Sequence, residues 1–258
     1  MNLNYKISQK DDSAPWLVLI HGLFGNADNL AGIKRHFESE FNVVSIDLPD
    51  HGESPWTDGF DITAASEAVY AVITSLPTKA AAVLGHSLGG KVAMKLALNH
   101  ADAVSHLIVA DIAPVSYEHS HQSVFDGLNA VPLDTINSRK EAENAMSQFV
   151  KEPGVRQFLL KSLYQNENGK WAWRFNVKGL YDSYHRIIDW EQTNQQFDGV
   201  TLFIKGALSD YITAQHRDAI AQYFPNAKAH IIDGTGHWLH AEKPAAFNTV
   251  VERTLLKR

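Results

Sequence analysis

Short apolar runs recur along the chain, and each ends in a loop that contains glycine or aspartate. These runs predict strands at 16–20, 42–48, 80–84, 106–111, 201–206 and 229–234. Their apolar residues are consecutive rather than alternating, which is typical of strands covered on both faces and hence of a largely parallel sheet. Patterns with helical spacing follow most of them, at 30–38, 62–75, 88–99, 213–223 and 244–256. This alternation predicts a doubly wound α/β sheet with helices on both faces.

The alternation stops between residues 113 and 195, where helical patterns occur without a convincing buried strand. Apolar residues at helical spacing fall within 142–150 and 155–163, and residues 171–176 are rich in aromatic side chains. An insertion at the carboxyl end of a strand is well placed to cover the edge where such sheets bind ligands. We therefore divide the chain into a core of residues 1–112 and 196–258 and a helical cap of residues 113–195.

The composition indicates a globular protein that does not bind nucleic acid. The chain has 258 residues, of which 45% are hydrophobic and 20% charged, as in ordinary globular domains. Its net charge of −6 argues against a nucleic-acid partner, which requires clustered Lys and Arg. The N-terminal residues lack the apolar segment of a secretory signal, and no apolar run is long enough to span a bilayer. We expect a soluble, cytoplasmic monomer or small homo-oligomer without membrane insertion.

The sequence offers little for a metal or an organic cofactor. The chain contains no cysteine, which excludes disulfides, thiolate metal sites and a cysteine nucleophile. His119 and His121 stand two residues apart, but no H-E-x-x-H segment or carboxylate–histidine cluster accompanies them. A phosphate loop and a dinucleotide fingerprint are also missing. We therefore expect neither a metal nor a cofactor.

The strongest chemical signal is the segment LGHSLGG at 84–90. Gly85 and Gly89 flank Ser87 in a G-x-S-x-G pattern, between a predicted strand and a predicted helix. A serine on a sharp strand-to-helix turn is exposed, lies near a helix N-terminus and can be activated by a neighbouring base. Side chains two residues to either side would collide at such a turn, which explains the glycines. A tight turn whose serine only caps the helix is the alternative; we predict a nucleophile.

Two further segments supply the partners that a nucleophilic serine needs. HGLFG (21–25) follows the first long apolar strand, and its glycine-bearing loop can aim the Leu23 amide at an oxyanion. The amide of Leu88, directly after the serine, supplies a second donor. GTGHW (234–238) follows the last strand and places His237 late in the chain, as expected of the base.

The segments HGLFG, DLPDHGES (47–54), GHSLGG and GTGHWLHAEKP (234–244) together resemble the α/β-hydrolase superfamily. HGLFGNADNL and the SDY of 209–211 further resemble the small bacterial YbfF-type esterases and their mitochondrial relatives. The resemblance covers essentially the whole chain outside the cap. It implies an α/β-hydrolase fold, with the helical cap inserted after the strand that this family counts as its sixth. Asp50 departs from the pattern, because many relatives carry glycine at that position.

The acid that orients His237 has several candidates. Ser209 stands at the usual position for it, three residues after a glycine, and Asp210 comes one residue late. A one-residue shift in a tight loop re-aims a side chain, so Asp210 is equally explained as a turn or helix-capping residue. Asp111 ends the strand 106–111, and the YbfF-type resemblance implies an acid there. Asp233 is better explained as a turn residue. We favour Asp111 and keep Asp210 as the alternative.

Together these residues predict a serine hydrolase that cleaves carboxylic esters through an acyl-enzyme on Ser87. The apolar cap suggests an apolar acyl group. The YbfF-type resemblance implies short- to medium-chain esters, with acyl-CoA thioesters as a second substrate class. The partner is thus a small-molecule ester or thioester, and we expect it to contact Phe24, Trp173, Tyr211 and Trp238.

Two other functions stay open at this stage. The same three residues can cleave a carbon–carbon bond or carry out a lyase step, as in the menaquinone-pathway members of the superfamily. Such sites need cations for substrate carboxylates, and Arg156, Arg174 and Arg186 are candidates in or near the cap. A non-catalytic small-molecule receptor is the second alternative, because a fold does not establish a function.

Overall fold

A seven-stranded sheet organises the core of the protein. The computed structural model describes residues 1–118 and 120–256. Within them lie the strands β1 (Tyr5–Ser8), β2 (Trp16–Ile20), β3 (Asn42–Ile46), β4 (Ala81–His86), β5 (Val104–Ala110), β6 (Leu163–Gln165), β7 (Trp171–Trp173), β8 (Val200–Gly206) and β9 (Lys228–Ile232). The large sheet has the order β1-β3-β2-β4-β5-β8-β9. Strand β1 runs antiparallel to β3, and the other neighbouring pairs are parallel, which confirms the predicted mostly parallel sheet.

The helices alternate with these strands as the sequence predicted. In chain order the described α-helices are α1 (Ala31–Phe37), α2 (Ile62–Ser75), α3 (Leu88–Asn99), α4 (Gln122–Asn129), α5 (Arg139–Met146), α6 (Pro153–Leu160), α7 (Val177–Asp182), α8 (Tyr184–Ile188), α9 (Arg217–Tyr223), α10 (Leu239–Glu242) and α11 (Pro244–Leu255). Short 3-10 helices cover Ala27–Leu30, Ala101–Ala103 and Ala214–His216. Among the described helices, none combines the length and the apolar character that crossing a bilayer requires.

Both faces of the sheet are buried, which is why its strands read as continuous apolar runs. In β2, Val18 and Ile20 belong to the hydrophobic core on one face, whereas Leu17 and Leu19 belong to the core on the other. Helices α2 and α3 cover the first face, and α1 and α11 cover the second. The carboxyl ends of the parallel strands are therefore left as the exposed edge available for a ligand.

The chain between β5 and β8 corresponds to the predicted cap, but it is not entirely helical. Strands β6 and β7 pair antiparallel, with Leu163 opposite Trp173. The helical pattern predicted over 155–163 is correct only as far as the end of α6 at Leu160. The β6–β7 hairpin begins shortly after that helix. Asn166 accepts the backbone N–H of Lys170 through its side chain, and Gly169 takes the φ of +73° that the turn needs. In chain order the cap follows β5, the strand that the resemblance counts as the sixth.

Candidate active site

Ser87 stands on a strained turn between β4 and α3. Its φ and ψ are 53° and −121°, a conformation that costs free energy and persists only where the surroundings impose it. A Cβ atom at Gly85 would lie 2.1 Å from the carbonyl oxygen of Gly89, and one at Gly89 would lie 2.3 Å from that of Ile20. Both positions of the motif therefore exclude every side chain. The Ser87 N–H donates to Ala110 O on β5 (2.9 Å), which fixes the turn against the sheet.

A chain of hydrogen bonds runs from Ser87 through His237 to Asp111. The Oγ atom of Ser87 lies 2.9 Å from His237 Nε2, and His237 Nδ1 lies 2.7 Å from Asp111 Oδ2. A carboxylate oxygen accepts the Nδ1 proton, which leaves Nε2 as the acceptor for the serine hydroxyl. The structure therefore aligns the favoured candidate acid, Asp111, with His237, and the Nδ1 bond does not go to Asp210.

Three donors converge on the Asp111 carboxylate, which is fully buried at the end of β5. Oδ1 accepts the Gly206 N–H (3.1 Å), and Oδ2 accepts the hydroxyl of Ser209 in addition to the His237 ring. These bonds satisfy a carboxylate that water does not reach. Sequence reasoning missed the part of Ser209, although the signal was present: a short hydroxyl side chain stands three residues after Gly206, the position expected for the acid in the wider superfamily.

The side chain of His86 holds the backbone of His237 through a hydrogen bond. The Nε2 atom of His86 lies 2.8 Å from the His237 carbonyl oxygen and so donates its proton there. Burial lowers the pKa of His86 well below its usual value, and the neighbouring His240 and His237 rings lower it further. The His86 ring is therefore neutral, and its single N–H serves this bond.

The loop after β2 borders the same space as the serine. The Gly25 N–H donates to Gly22 O (3.0 Å), closing a turn around Leu23 and Phe24, and Phe24 has a φ of 62°. Leu23 lies with Ser87 and Leu88 in the wall of one small cavity. Leu88 is the first residue of α3, where backbone N–H groups have no partner within the helix. The two amides predicted as oxyanion donors, those of Leu23 and Leu88, thus belong to two separate backbone segments that border the cavity next to Ser87.

A cavity of about 470 Å³ opens above Ser87 and His237, between the core and the cap. The cap contributes Val124, Val155 and Phe158. Three of the residues predicted to bind substrate, Phe24, Tyr211 and Trp238, line it as well. The Tyr211 ring stacks on His237, with centroids 4.0 Å apart and planes 19° apart. The walls are mainly apolar.

Trp173 does not line this cavity, so its prediction as a substrate contact is corrected. It is 5% exposed and stacks on Phe175, with ring centroids 5.5 Å apart. Phe175 in turn contacts Phe24 (5.2 Å). Trp173 therefore packs in a second layer behind the cavity wall. The aromatic segment did not reveal which face of β7 turns inward, because the strand was predicted as part of a helical cap.

The arginines considered as carboxylate anchors lie away from the cavity. Arg156, on α6, donates to the carbonyls of Val150 and Lys151 in the loop before that helix. Arg174 pairs with Glu53 (3.5 Å), and Arg186 lines a separate depression next to α2. Among the described residues that line the cavity, Lys161 is the one lysine or arginine.

Of the two histidines considered as a metal pair, His119 lies outside the described residues. His121 lines the cavity, and its Nδ1 atom is 2.5 Å from the Tyr184 hydroxyl oxygen.

Known proteins resemble this chain over almost its whole length. The model of the α/β-hydrolase fold family matches residues 15–244. Esterase YbfF of Escherichia coli is 37% identical over 256 residues, which are 99% of this chain and 98% of that protein. The sn-1-specific diacylglycerol lipase of Mus musculus is 33% identical over 257 residues, or 96% of this chain and 83% of that one. The solved structure of a marine microorganism esterase superposes with a TM-score of 0.94 at 33% identity, covering 98% of this chain and 99% of that one.

Proposed function

The chain belongs to the α/β-hydrolase family and resembles its YbfF-type esterases, and from this premise we propose that it is a serine esterase. One observation carries the proposal: the hydrogen bonds that link Ser87, His237 and Asp111 end at an apolar cavity. A serine that donates to a neutral imidazole, itself oriented by a carboxylate, is the arrangement that acyl transfer requires.

In the acylation step, Ser87 Oγ attacks the acyl carbon while its proton passes to His237 Nε2. Asp111 holds the imidazole by its Nδ1–H and stabilises the imidazolium without taking the proton. The amides of Leu23 and Leu88 donate to the oxyanion, which stabilises the negative charge of the tetrahedral intermediate. The imidazolium then gives its Nε2 proton to the leaving alkoxide, and the acyl group remains on the serine as an ester.

In the deacylation step, a water molecule replaces the alcohol. His237 Nε2 accepts a proton from this water as its oxygen attacks the acyl-enzyme, and the same two amides stabilise the second oxyanion. Collapse of the intermediate returns the proton to Ser87 Oγ and releases the carboxylic acid. One water is consumed per ester, and no cofactor takes part.

The shape of the cavity supports an apolar acyl group as the part of the substrate that is bound. Phe24, Val124 and Phe158 offer apolar contacts beside the serine, and burial of apolar surface is the main source of binding free energy for such a group. We propose short- to medium-chain carboxylic esters as substrates, and acyl-CoA thioesters as a second class that the same chemistry accommodates.

The alternatives have less support from the cavity. Cleavage of a carbon–carbon bond in a substrate with several carboxylates calls for cations near the serine, and Lys161 alone meets that need among the described lining residues. A receptor without activity would not need a serine at φ 53° or a buried carboxylate aligned on a histidine, because such strain is retained where a reaction uses it.

Hydrolysis of p-nitrophenyl esters from acetate to decanoate tests the proposal directly. We expect Ser87→Ala to abolish turnover and Asp111→Asn to lower kcat by about 10⁴-fold, because an amide favours the wrong imidazole tautomer. Asp210→Asn is the matched control and should stay within a few-fold of the wild type. Rapid quenching followed by intact mass measurement should show the acyl group on the wild type and not on Ser87→Ala.

Each other outcome identifies a specific error. If Asp210→Asn is the damaging change, the acid is Asp210 and the class of enzyme stands. If the wild type cleaves no ester of the series, the esterase proposal is wrong.

A further inference from the structure

Two buried histidines join the loop after β2 to the loop after β3. The Nε2 atom of His21 accepts the backbone N–H of Leu48 (3.1 Å), and the Nε2 atom of His51 accepts the backbone N–H of Phe24 (3.1 Å). Each ring thus reaches from its own loop into the other. We refer to His21 and His51 as the crossed histidine pair. Their ring centroids are 5.2 Å apart, and they are 1% and 0% exposed.

The partners of the pair define its protonation state. The Nδ1 atom of His21 lies 2.8 Å from Gly22 O, and that of His51 lies 2.8 Å from Pro49 O. A carbonyl only accepts and a backbone amide only donates, so each ring carries its proton on Nδ1 and offers a lone pair at Nε2. Burial lowers the pKa of His51 to about 3 and also lowers that of His21. Both rings are neutral, as an acceptor at Nε2 requires.

These bonds fall on the two peptide groups that flank Leu23. The carbonyl of Gly22 and the N–H of Leu23 belong to one planar peptide group and point in opposite directions. The His21 bond to Gly22 O therefore sets the direction of the Leu23 N–H. The next peptide group carries the Phe24 N–H, which His51 accepts.

The conformation of Phe24 explains why such support is needed. Its φ of 62° is costly for a bulky side chain, by about 1–3 kcal/mol. The ring is held by contacts with Phe125 and Phe175, each 5.2 Å away between centroids. These contacts fix the side chain, but they leave the rotation of the peptide group before it to be set by its hydrogen bond.

We propose that His51, together with His21, is a positioning residue that aims the Leu23 amide at the oxyanion. It acts on the reaction only through the backbone of the loop at 22–25 and does not touch the substrate. This inference rests on the proposed esterase function, because it assigns a task to a loop of the same site. A purely structural link between two loops would stabilise the fold without favouring the transition state over the bound substrate.

Substitutions at His51 separate the two hydrogen bonds of its ring. In His51→Gln the amide oxygen stands near the position of Nε2 and can still accept the Phe24 N–H. In His51→Asn the shorter side chain reaches Pro49 O but not Phe24. His51→Leu removes both bonds. Ser54→Ala is the control, because Ser54 is buried and bonds Asp47 O and the Asn4 N–H without reaching the loop at 22–25.

We expect a loss in kcat with KM unchanged within about threefold. His51→Asn and His51→Leu should lower kcat about 100-fold, the usual cost of losing one oxyanion donor, and His51→Gln should recover at least tenfold of that. The acylation and deacylation rates should fall by equal factors, since both tetrahedral intermediates use the loop. Ki for a trifluoromethyl ketone, which forms a tetrahedral adduct with serine, should rise by the factor that kcat/KM falls. Ser54→Ala should lose stability and retain kcat.

The proposal is overturned if His51→Asn matches His51→Gln in kcat. It is also overturned if the Ki of the trifluoromethyl ketone is unchanged in both of these variants. Thermal unfolding of each variant keeps the assays within its folded range, and the Asn and Gln variants still decide the question if His51→Leu does not fold. A wild type that hydrolyses no ester would instead contradict the proposed function, which the Ser87→Ala comparison reports separately.

Discussion

At the scale of single residues, backbone strain is concentrated around the candidate site. Among residues 1–118 and 120–256, the non-glycine residues with positive φ are Phe24, Asp50, Ser87 and Asp111. Three of them belong to the loop at 22–25 and to the proposed nucleophile and acid. Asp50 accepts the N–H of Thr57 and the side-chain amide of Asn176, and so ties the core to the cap. Strain of this kind persists where surrounding contacts impose it.

Sequence reasoning reached these positions unevenly, and the difference has a physical cause. Ser87 was predictable because its strain forces glycine at two neighbouring positions, which leaves a pattern in the sequence. Phe24 leaves no such pattern, because its φ of 62° is supported by rings and a histidine far away in the chain. Ser209 also escaped, since its partner Asp111 is 98 positions distant.

The bond between Ser209 and Asp111 leads to a prediction at residue scale. The Ser209 hydroxyl reaches the same carboxylate oxygen that receives the His237 Nδ1 proton. A carboxylate at position 209 should therefore reach His237 when Asp111 is neutralised. We expect the double variant Asp111→Asn with Ser209→Asp to recover at least about tenfold of the kcat that Asp111→Asn loses, by restoring the imidazole tautomer. Steady-state kinetics on one p-nitrophenyl ester gives the answer.

The control for this prediction is the double variant Asp111→Asn with Ser209→Asn. It has nearly the same side-chain volume but no charge, so it should stay at the level of Asp111→Asn alone. Equal recovery by both double variants would mean that side-chain volume, and not the position of a carboxylate, restores activity.

At the scale of elements, a buried lysine joins α3, the helix that follows Ser87, to the end of the cap. The Nζ atom of Lys91 on α3 donates to Ile188 O and Asp189 O, 2.7 Å each, at the C-terminus of α8. It also lies 5.0 Å from the centre of the Tyr117 ring. The Lys91 ammonium suits this place because the last carbonyls of a helix lack partners within it and carry partial negative charge, although burial lowers the pKa of Lys91 to about 7. Lys91 therefore fastens the cap beside the serine.

Removing this cation should cost stability. We expect Lys91→Met, which keeps the length of the side chain, to lower the free energy of unfolding by about 2–4 kcal/mol, because part-buried carbonyls at the end of α8 lose their donor. Lys95→Met on the next turn is the matched control. Lys95 pairs with Glu191, which is largely exposed, so its loss should cost at most about 1 kcal/mol. Urea unfolding measures both, and equal losses would contradict the role given to Lys91.

The elements of the sheet were easier to predict than those of the cap. A strand buried on both faces is a continuous apolar run, so β2, β4 and β8 follow from the sequence alone. Strand β1 was missed because its side chains are largely exposed. The β6–β7 hairpin was not predicted, because its strands have three residues each, too few for alternation to be distinguished from helical spacing.

At the scale of the whole molecule, the site depends on histidines that stay neutral inside the protein. His21, His51 and His86 are at most 5% exposed, and burial lowers the pKa of each. All three donate or accept hydrogen bonds within the loops that carry Leu23 and His237. Protonation of any of them would place a charge in a buried region, and desolvation makes this costly even though Asp47 lies near His21 and His51. The integrity of the site is therefore linked to pH.

The sign of this linkage follows from which state binds the proton. In the unfolded chain these histidines titrate near pH 6.5, whereas in the folded protein they stay neutral to lower pH, about 3 for His51. Between these values the unfolded state binds more protons than the folded state. The free energy of unfolding therefore has its full value above pH 6.5 and decreases as the pH falls. Each histidine contributes a slope of up to about 1.4 kcal/mol per pH unit, and three give at most about 4.

We therefore expect urea unfolding at pH 7.5, 6.5, 5.5 and 4.5 to show a constant free energy above pH 7 and a steep loss below pH 6. Between pH 6 and 5, the variant His51→Gln should reduce the slope of the free energy of unfolding against pH by about 1.4 kcal/mol per pH unit. This is the contribution of one proton, because one buried base is gone. His230→Gln, at an exposed position of β9, should leave the slope unchanged. A free energy that is flat down to pH 5 would mean that these histidines are protonated in the folded protein, which is incompatible with the acceptor assigned to His51 Nε2.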